Sequence, residues 1–155
     1  MLTKFAGSLL GTAIGDSLGA GFEGFGPLPS PSYVLEFARQ YRGQLRYTDD
    51  THMTIGVAES LIECRGFDKL HMANKLMENY ERQPFRGYGP GPPTIFRMVR
   101  SGVSWEEAPR RLFGGRGSFG NGAAMRVAPL ALLFHQSLEE LREVVSQASQ
   151  ITHTH

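Results

Sequence analysis

Wherever apolar residues recur regularly in this chain they do so every three or four positions, and no useful stretch alternates with period two. A sheet needs the second pattern and a helix needs the first, so the chain is constrained to an all-helical packing. Phe5, Leu9, Leu10, Ala13 and Ile14 share one face of a first helix that ends at the glycines around Gly19 and Gly21. Ser30-Pro31 pairs a capping residue with a proline suited to the first helical position, which predicts a helix through Tyr33 to Tyr41. Asp49 to Glu63 follows, with Met53, Val57, Leu61 and Ile62 at helical spacing and a stop near Gly66. Asp68 opens another helix carrying Leu70, Ala73, Leu76, Met77 and Tyr80. Gln83 to Pro93 is rich in proline and glycine and reads as irregular; Thr94 to Arg100 reads as a short helix. Ser104-x-x-Glu107 and Ser137-x-x-Glu140 are capping-box patterns ahead of apolar-periodic segments, so Ser104 to Phe113 also reads as helical.

A chain of 155 residues, 41% of them hydrophobic, suits a single domain with its own core. Sixteen basic against fifteen acidic residues leave a net charge of +1, which gives no electrostatic basis for nucleic acid or an anionic membrane surface. The lone Cys64 cannot close an internal disulfide and suits a reducing cytoplasm. Lys4 followed by Phe5 to Ile14 imitates a short signal sequence, but Gly7 and Ser8 interrupt the run and Asp16 follows soon after. No apolar stretch is long enough to span a bilayer.

Tyr47-Thr48-Asp49-Asp50-Thr51 places a hydroxyl and two consecutive carboxylates at the start of a helix. Such oxygens suit a hard divalent cation, magnesium or manganese rather than zinc. Helix capping by Thr48, with both aspartates answering the helix dipole, explains the same residues without a metal. Adjacent side chains diverge by about 100° around a helix, so Asp49 and Asp50 could each serve a different ion. Gly114 to Gly122 contains a formal G-x-G-x-x-G in Gly115, Gly117 and Gly120, but without a preceding strand it does not make a dinucleotide fold. Its glycines can still bring backbone N–H groups to a phosphate, with Arg116 and Arg126 adding charge and Phe113 or Phe119 able to stack on a base. A flexible linker is the plainer alternative. Glu23, in a glycine-rich apolar setting, could act as an acid or base on a glycosidic bond, or be a surface glutamate. Asp16 is expected to be structural, holding the end of its helix. His52, His71 and His135 show no partners in the sequence, and His153-Thr154-His155 reads as a frayed end.

Gly15-Asp16-Ser17-Leu18-Gly19 with Glu23, and Tyr47-Thr48-Asp49-Asp50-Thr51 with Met53, resemble the ADP-ribosylglycohydrolases. Arg86-Gly87-Tyr88-Gly89-x-Gly91 and Gly117-Ser118-Phe119-Gly120-Asn121-Gly122-Ala123-Ala124-Met125-Arg126 are similar to the branch that acts on serine-linked ADP-ribose and poly-ADP-ribose. The resemblance implies an all-α orthogonal multi-helix bundle, a pair of magnesium ions (manganese in some members), and ADP-ribose or an ADP-ribosylated protein as substrate. It assigns Thr48, Asp49 and Asp50 to the metals, with Asp49 and Asp50 also counted as catalytic. Glu23 takes acid–base chemistry or substrate gating. Gly117, Ser118, Gly120 and Asn121 fall to the diphosphate and ribose, Phe113 and Phe119 to the adenine, and His153 to the substrate.

The same family pattern includes a later Asp-x-Asp-Thr block that completes the metal ligands. The aspartates here are Asp16, Asp49, Asp50 and Asp68, none in that arrangement. Residues 1–155 are therefore expected to correspond to the N-terminal part of the family's domain, with a further segment or a second chain completing the site. On that expectation, binding of ADP-ribose without turnover, or an inactive remnant, stands as the alternative to hydrolysis.

Overall fold

A computed structural model describes residues 1–24, 26–27, 30–40 and 45–155. Among these residues there is no strand. Helices α1 (Leu2–Gly19), α2 (Pro31–Gln40), α3 (Asp49–Cys64), α4 (Lys69–Arg82) and α5 (Gly91–Arg100) are followed by a single turn α6 (Leu112–Gly115), then α7 (Ala128–Leu133) and α8 (Leu138–Gln150). Short 3-10 turns occupy Ala20–Phe22, Pro109–Arg111 and Asn121–Arg126. Tyr41, the expected last residue of the second helix, lies outside the described residues.

Local chemistry accounts for most helix ends. Thr48, Asp68 and Ser137 each accept a hydrogen bond from a backbone N–H of the first turn they precede: Asp50, His71 and Glu140. Ser30 Oγ does the same for Tyr33 N, at 3.2 Å. At its other end α3 closes through Arg65, in the left-handed region (φ 52°), and Gly66 N donates to the Leu61 carbonyl at 3.1 Å. α5 begins earlier than expected, at Gly91, because prolines 92 and 93 fit the first turn, where no N–H is needed.

The segment from Ser104 to Phe113 is not the expected helix. Ser104 Oγ does accept from Glu107 N at 3.2 Å, but Pro109 falls where a continuing helix needs an N–H, and only turns follow. Phe113 (φ 50°) and Gly114 (φ 72°) then turn the chain through the left-handed region.

α3 is the central element, touching α1, α4, α7 and the 121–126 turn. Its contact with α4 is close enough that a Cβ on Gly56 would sit 3.0 Å from Leu76 Cδ2 and 3.2 Å from Asn79 Nδ2. Met53, Val57 and Leu61 of α3 join Met72, Ala73, Leu76 and Met77 of α4 in the buried core, with Ile95, Phe96, Leu130, Val144 and Ile151. Ile62 and Leu70, expected on the inner faces, are exposed. α1 also differs: Leu9, Leu10 and Ile14 face solvent, while Phe5, Ser8, Thr12, Ala13 and Asp16 are partly covered. The helix turns Phe5 and a set of small and polar residues inward, and buries none of its residues fully.

Candidate active site

Asp16 leaves the last turns of α1 and reaches the start of α3. Its Oδ2 accepts from Thr48 N (2.8 Å), from Thr51 N (3.0 Å) and from Thr51 Oγ1. Its Oδ1 accepts from Thr48 Oγ1 at 2.7 Å. Asp16 is therefore structural, as expected, but it fixes the beginning of α3 rather than the end of its own helix. Thr48 caps α3 by accepting from Asp50 N at 3.4 Å, and its hydroxyl also lies 3.4 Å from Asp50 Oδ2.

The fixed first turn sends the two aspartates different ways. A carboxylate oxygen of Asp50 lies within 4.8 Å of ones from Asp16 and Glu23, which stands just after the 3-10 turn that follows α1. Asp49 instead lines a cavity of about 410 Å³. Burial and the neighbouring Asp50 push the Asp49 carboxyl from an ordinary 3.8 to about 6. Burial and Asp16 raise Asp50, and burial followed by Asp50 and Asp16 raises Glu23. Gathered carboxylates that repel one another are a donor set of hard oxygens, and they fit a hard divalent cation. Of the clustered three, Asp16 is the most engaged, with three donors at Oδ2 and one at Oδ1, so the freer oxygens are those of Glu23 and Asp50, with Asp49 beside them.

The cavity's opposite wall is the glycine-rich segment. Phe113, Ser118, Phe119, Gly120, Asn121 and His153 all line it, as does Arg116. Gly117 does not: it is buried behind the wall, with φ +75°, and a Cβ there would meet His155 N at 2.9 Å. Its role is to let residues 154–155 pass closely. Gly122 likewise leaves room for His153, whose Cε1 would lie 2.8 Å from a Cβ. The chain end is packed rather than frayed, with Thr152 buried and bonded to His153 Nδ1 at 2.7 Å. Burial first, then the Arg126 charge, push His153 down to about 4, so it meets the cavity as a neutral ring. His155 lies with its ring centroid 3.8 Å from that of Phe119.

Arg126 lies fully buried behind the cavity. Its Nη2 donates to the Ala148 carbonyl at 2.8 Å, Nη1 lies 3.8 Å from Met53 Sδ, and Nε has no partner. Burial lowers its pKa to about 10.

Three features escaped sequence reasoning. Asp16 joins the carboxylate cluster through contacts 32 and 35 residues away in the chain. Gly89 to Pro92 form part of the cavity wall. His52 and His71 have partners after all, in Tyr88 and Ser60, each at 2.9 Å. The RGYG motif was the available signal for the second and for His52.

Among the described residues no helix is long and apolar enough to cross a membrane. The ADP-ribosylglycohydrolase family model matches residues 1–155. The chain is 37% identical over 161 residues to the ADP-ribosylhydrolase ARH3 of Danio rerio, covering 99% of this chain and 43% of that protein. It is 32% identical over 165 residues to the ADP-ribosylhydrolase ARH3 of Homo sapiens, covering 98% and 45%. An uncharacterised protein of Archaeoglobus fulgidus is 31% identical over 170 residues, covering 99% and 50%. The chain thus spans about half the length, or somewhat less, of the curated relatives it matches. With the family model matched across residues 1–155 and relatives up to 37% identical covering nearly all of them, the chain belongs to the ADP-ribosylglycohydrolase family.

Proposed function

We propose that this chain carries the site for metal-dependent hydrolysis of an ADP-ribosyl glycosidic bond, releasing ADP-ribose from a modified protein or a related conjugate. The observation that carries the proposal is the split of consecutive acids: Asp49 at the cavity, Asp50 with Glu23 and Asp16. A ribose seated in the cavity beside Asp49 then lies next to carboxylates able to hold a cation. The cavity volume falls in the range of small-molecule sites.

Thr48, Asp49 and Asp50 would hold Mg2+, or Mn2+ in its place. Bound there, it would supply Lewis-acid chemistry toward the ribose hydroxyls and an attacking water. Asp49 and Asp50 stabilise positive charge developing on the ribose ring. Glu23, exposed and held above the usual carboxylate range, exchanges a proton between water and the departing acceptor group. The glycosidic bond to C1″ breaks, water oxygen bonds to that carbon, and the proton passes to the acceptor. Ser118, Gly120 and Asn121 face the diphosphate and ribose with Gly117 shaping their loop, Phe113 and Phe119 flank the base, and His153 contacts the substrate as a neutral donor or acceptor. The single cysteine fits a reducing, cytoplasmic setting.

Binding without turnover is the second reading. It is favoured by the four hydrogen bonds that Asp16 already accepts, which leave the cluster fewer free oxygens unless a further segment or second chain contributes some. Incubation with an ADP-ribosylated serine or arginine peptide, with and without Mg2+, decides between them. Release of free ADP-ribose only with Mg2+, reduced about a hundredfold or more by Asp50→Asn, is the expected result. Calorimetric binding of ADP-ribose with no release leaves the binding reading; absence of both removes the proposal.

A further inference from the structure

The Arg86-Gly87-Tyr88 tripeptide has no part in the chemistry above, yet it is bound tightly across the site. Residues 83–90 form no helix, and two side chains anchor them. The Arg86 guanidinium lies 3.9 Å above the Tyr47 ring and donates to the Tyr47 carbonyl at 3.3 Å. Tyr88 Oη is hydrogen-bonded to His52 Nδ1 at 2.9 Å, and its ring stands edge-on to Tyr80, with centroids 5.0 Å apart. Between them Gly87 (φ +85°) packs beside the start of α3, where a Cβ would be in ordinary contact, 3.7 Å from both Asp49 Oδ1 and Thr48 Cβ. The next residues, Gly89 to Pro92, are cavity wall.

His52 belongs to the first turns of α3, two residues after Asp50, and is only 6% exposed. A buried imidazole there is costly unless its nitrogens are satisfied, and its Nδ1 is satisfied by the Tyr88 hydroxyl. We infer that His52 and Tyr88 form a positioning pair that sets the Gly89–Pro92 wall in register with the carboxylate-bearing turn of α3, and so sets affinity for the ligand in the cavity. Tyr88 does not itself line the cavity; it acts through the wall it carries. The inference rests on the proposed ADP-ribose site for its ligand and on geometry alone for the pair.

The test compares wild type, Tyr88→Phe, His52→Ala, the double variant and His52→Asn, whose amide can replace Nδ1 as either donor or acceptor. ADP-ribose affinity is measured by calorimetry, and amide hydrogen exchange is followed over residues 86–91. Tyr88→Phe keeps the ring packing and removes only the hydroxyl. Each disruptive single variant is expected to raise Kd about tenfold, and the double variant no further. Exchange at 86–91 should quicken while that of α4 holds, and His52→Asn should restore both measures to within about threefold of wild type. Unchanged exchange and affinity in Tyr88→Phe, or penalties that simply add in the double variant, overturn the pairing. If wild type binds no ADP-ribose, the functional reading fails by itself, and the exchange at 86–91 still decides whether the pair fixes the wall.

Discussion

Asp16 combines two duties that are usually separate: it satisfies the orphan N–H groups at the start of α3, and it adds a charge to the cluster formed with Asp50 and Glu23. Asn at this position keeps the shape but offers one acceptor oxygen where the carboxylate offers two, against two backbone N–H groups and two hydroxyls. Asp16→Asn should therefore cost about 1–3 kcal/mol in chemical denaturation, more than an exposed capping residue would. Asp49 carries a second prediction. Its folded pKa, about 6, lies above its ordinary 3.8, so the native state holds the proton more tightly than the unfolded chain does. The stabilisation is complete below about 4 and is lost as pH rises through about 6. In chelator, the melting temperature should fall across that window, and Asp49→Asn should flatten the fall. Added Mg2+ should recover stability at the upper end, where the carboxylates are ionised and free to ligate.

Among the helices, what could be read from the sequence was whatever depends on neighbours in the chain. Thr48, Asp68 and Ser137 were legible as caps because the cap bond spans two or three residues. Ser104 makes the same bond, yet no helix grows from it, since Pro109 withholds the N–H that a second turn requires. Periodicity also told which residues of α1 lie together without telling which side the rest of the molecule would cover. There the covered side proved to be the one with Ser8, Thr12 and Asp16, because the Asp16 bonds fix the rotation of the helix. The α3–α4 contact was invisible for a related reason, since its closeness depends on Gly56 meeting Leu76 across two elements. A methyl group there must push Leu76 or Asn79 aside; set against the helical gain of about 1 kcal/mol from replacing glycine, Gly56→Ala should still lower stability by about 1 kcal/mol in thermal or denaturant unfolding. An unchanged midpoint would mean that α3 and α4 can separate without loss.

At the scale of the whole molecule, the helices place two unlike environments on either side of a single turn of α3. On one side are the acids that repel one another; on the other is a glycine-lined hollow backed by the buried charge of Arg126. Much of this site was legible as a set of residues, because each motif is short and contiguous. Their division between the two environments was not, because it depends on the angle between successive side chains and on Asp16 holding that turn in place. One peptide bond, between Asp49 and Asp50, is shared by both compartments, and it cannot move for one without moving for the other. Occupants of the two sides should accordingly report on each other: whatever factor the cation adds to nucleotide-sugar affinity, the nucleotide sugar must return to cation affinity, and paired titrations should give the same ratio in both directions.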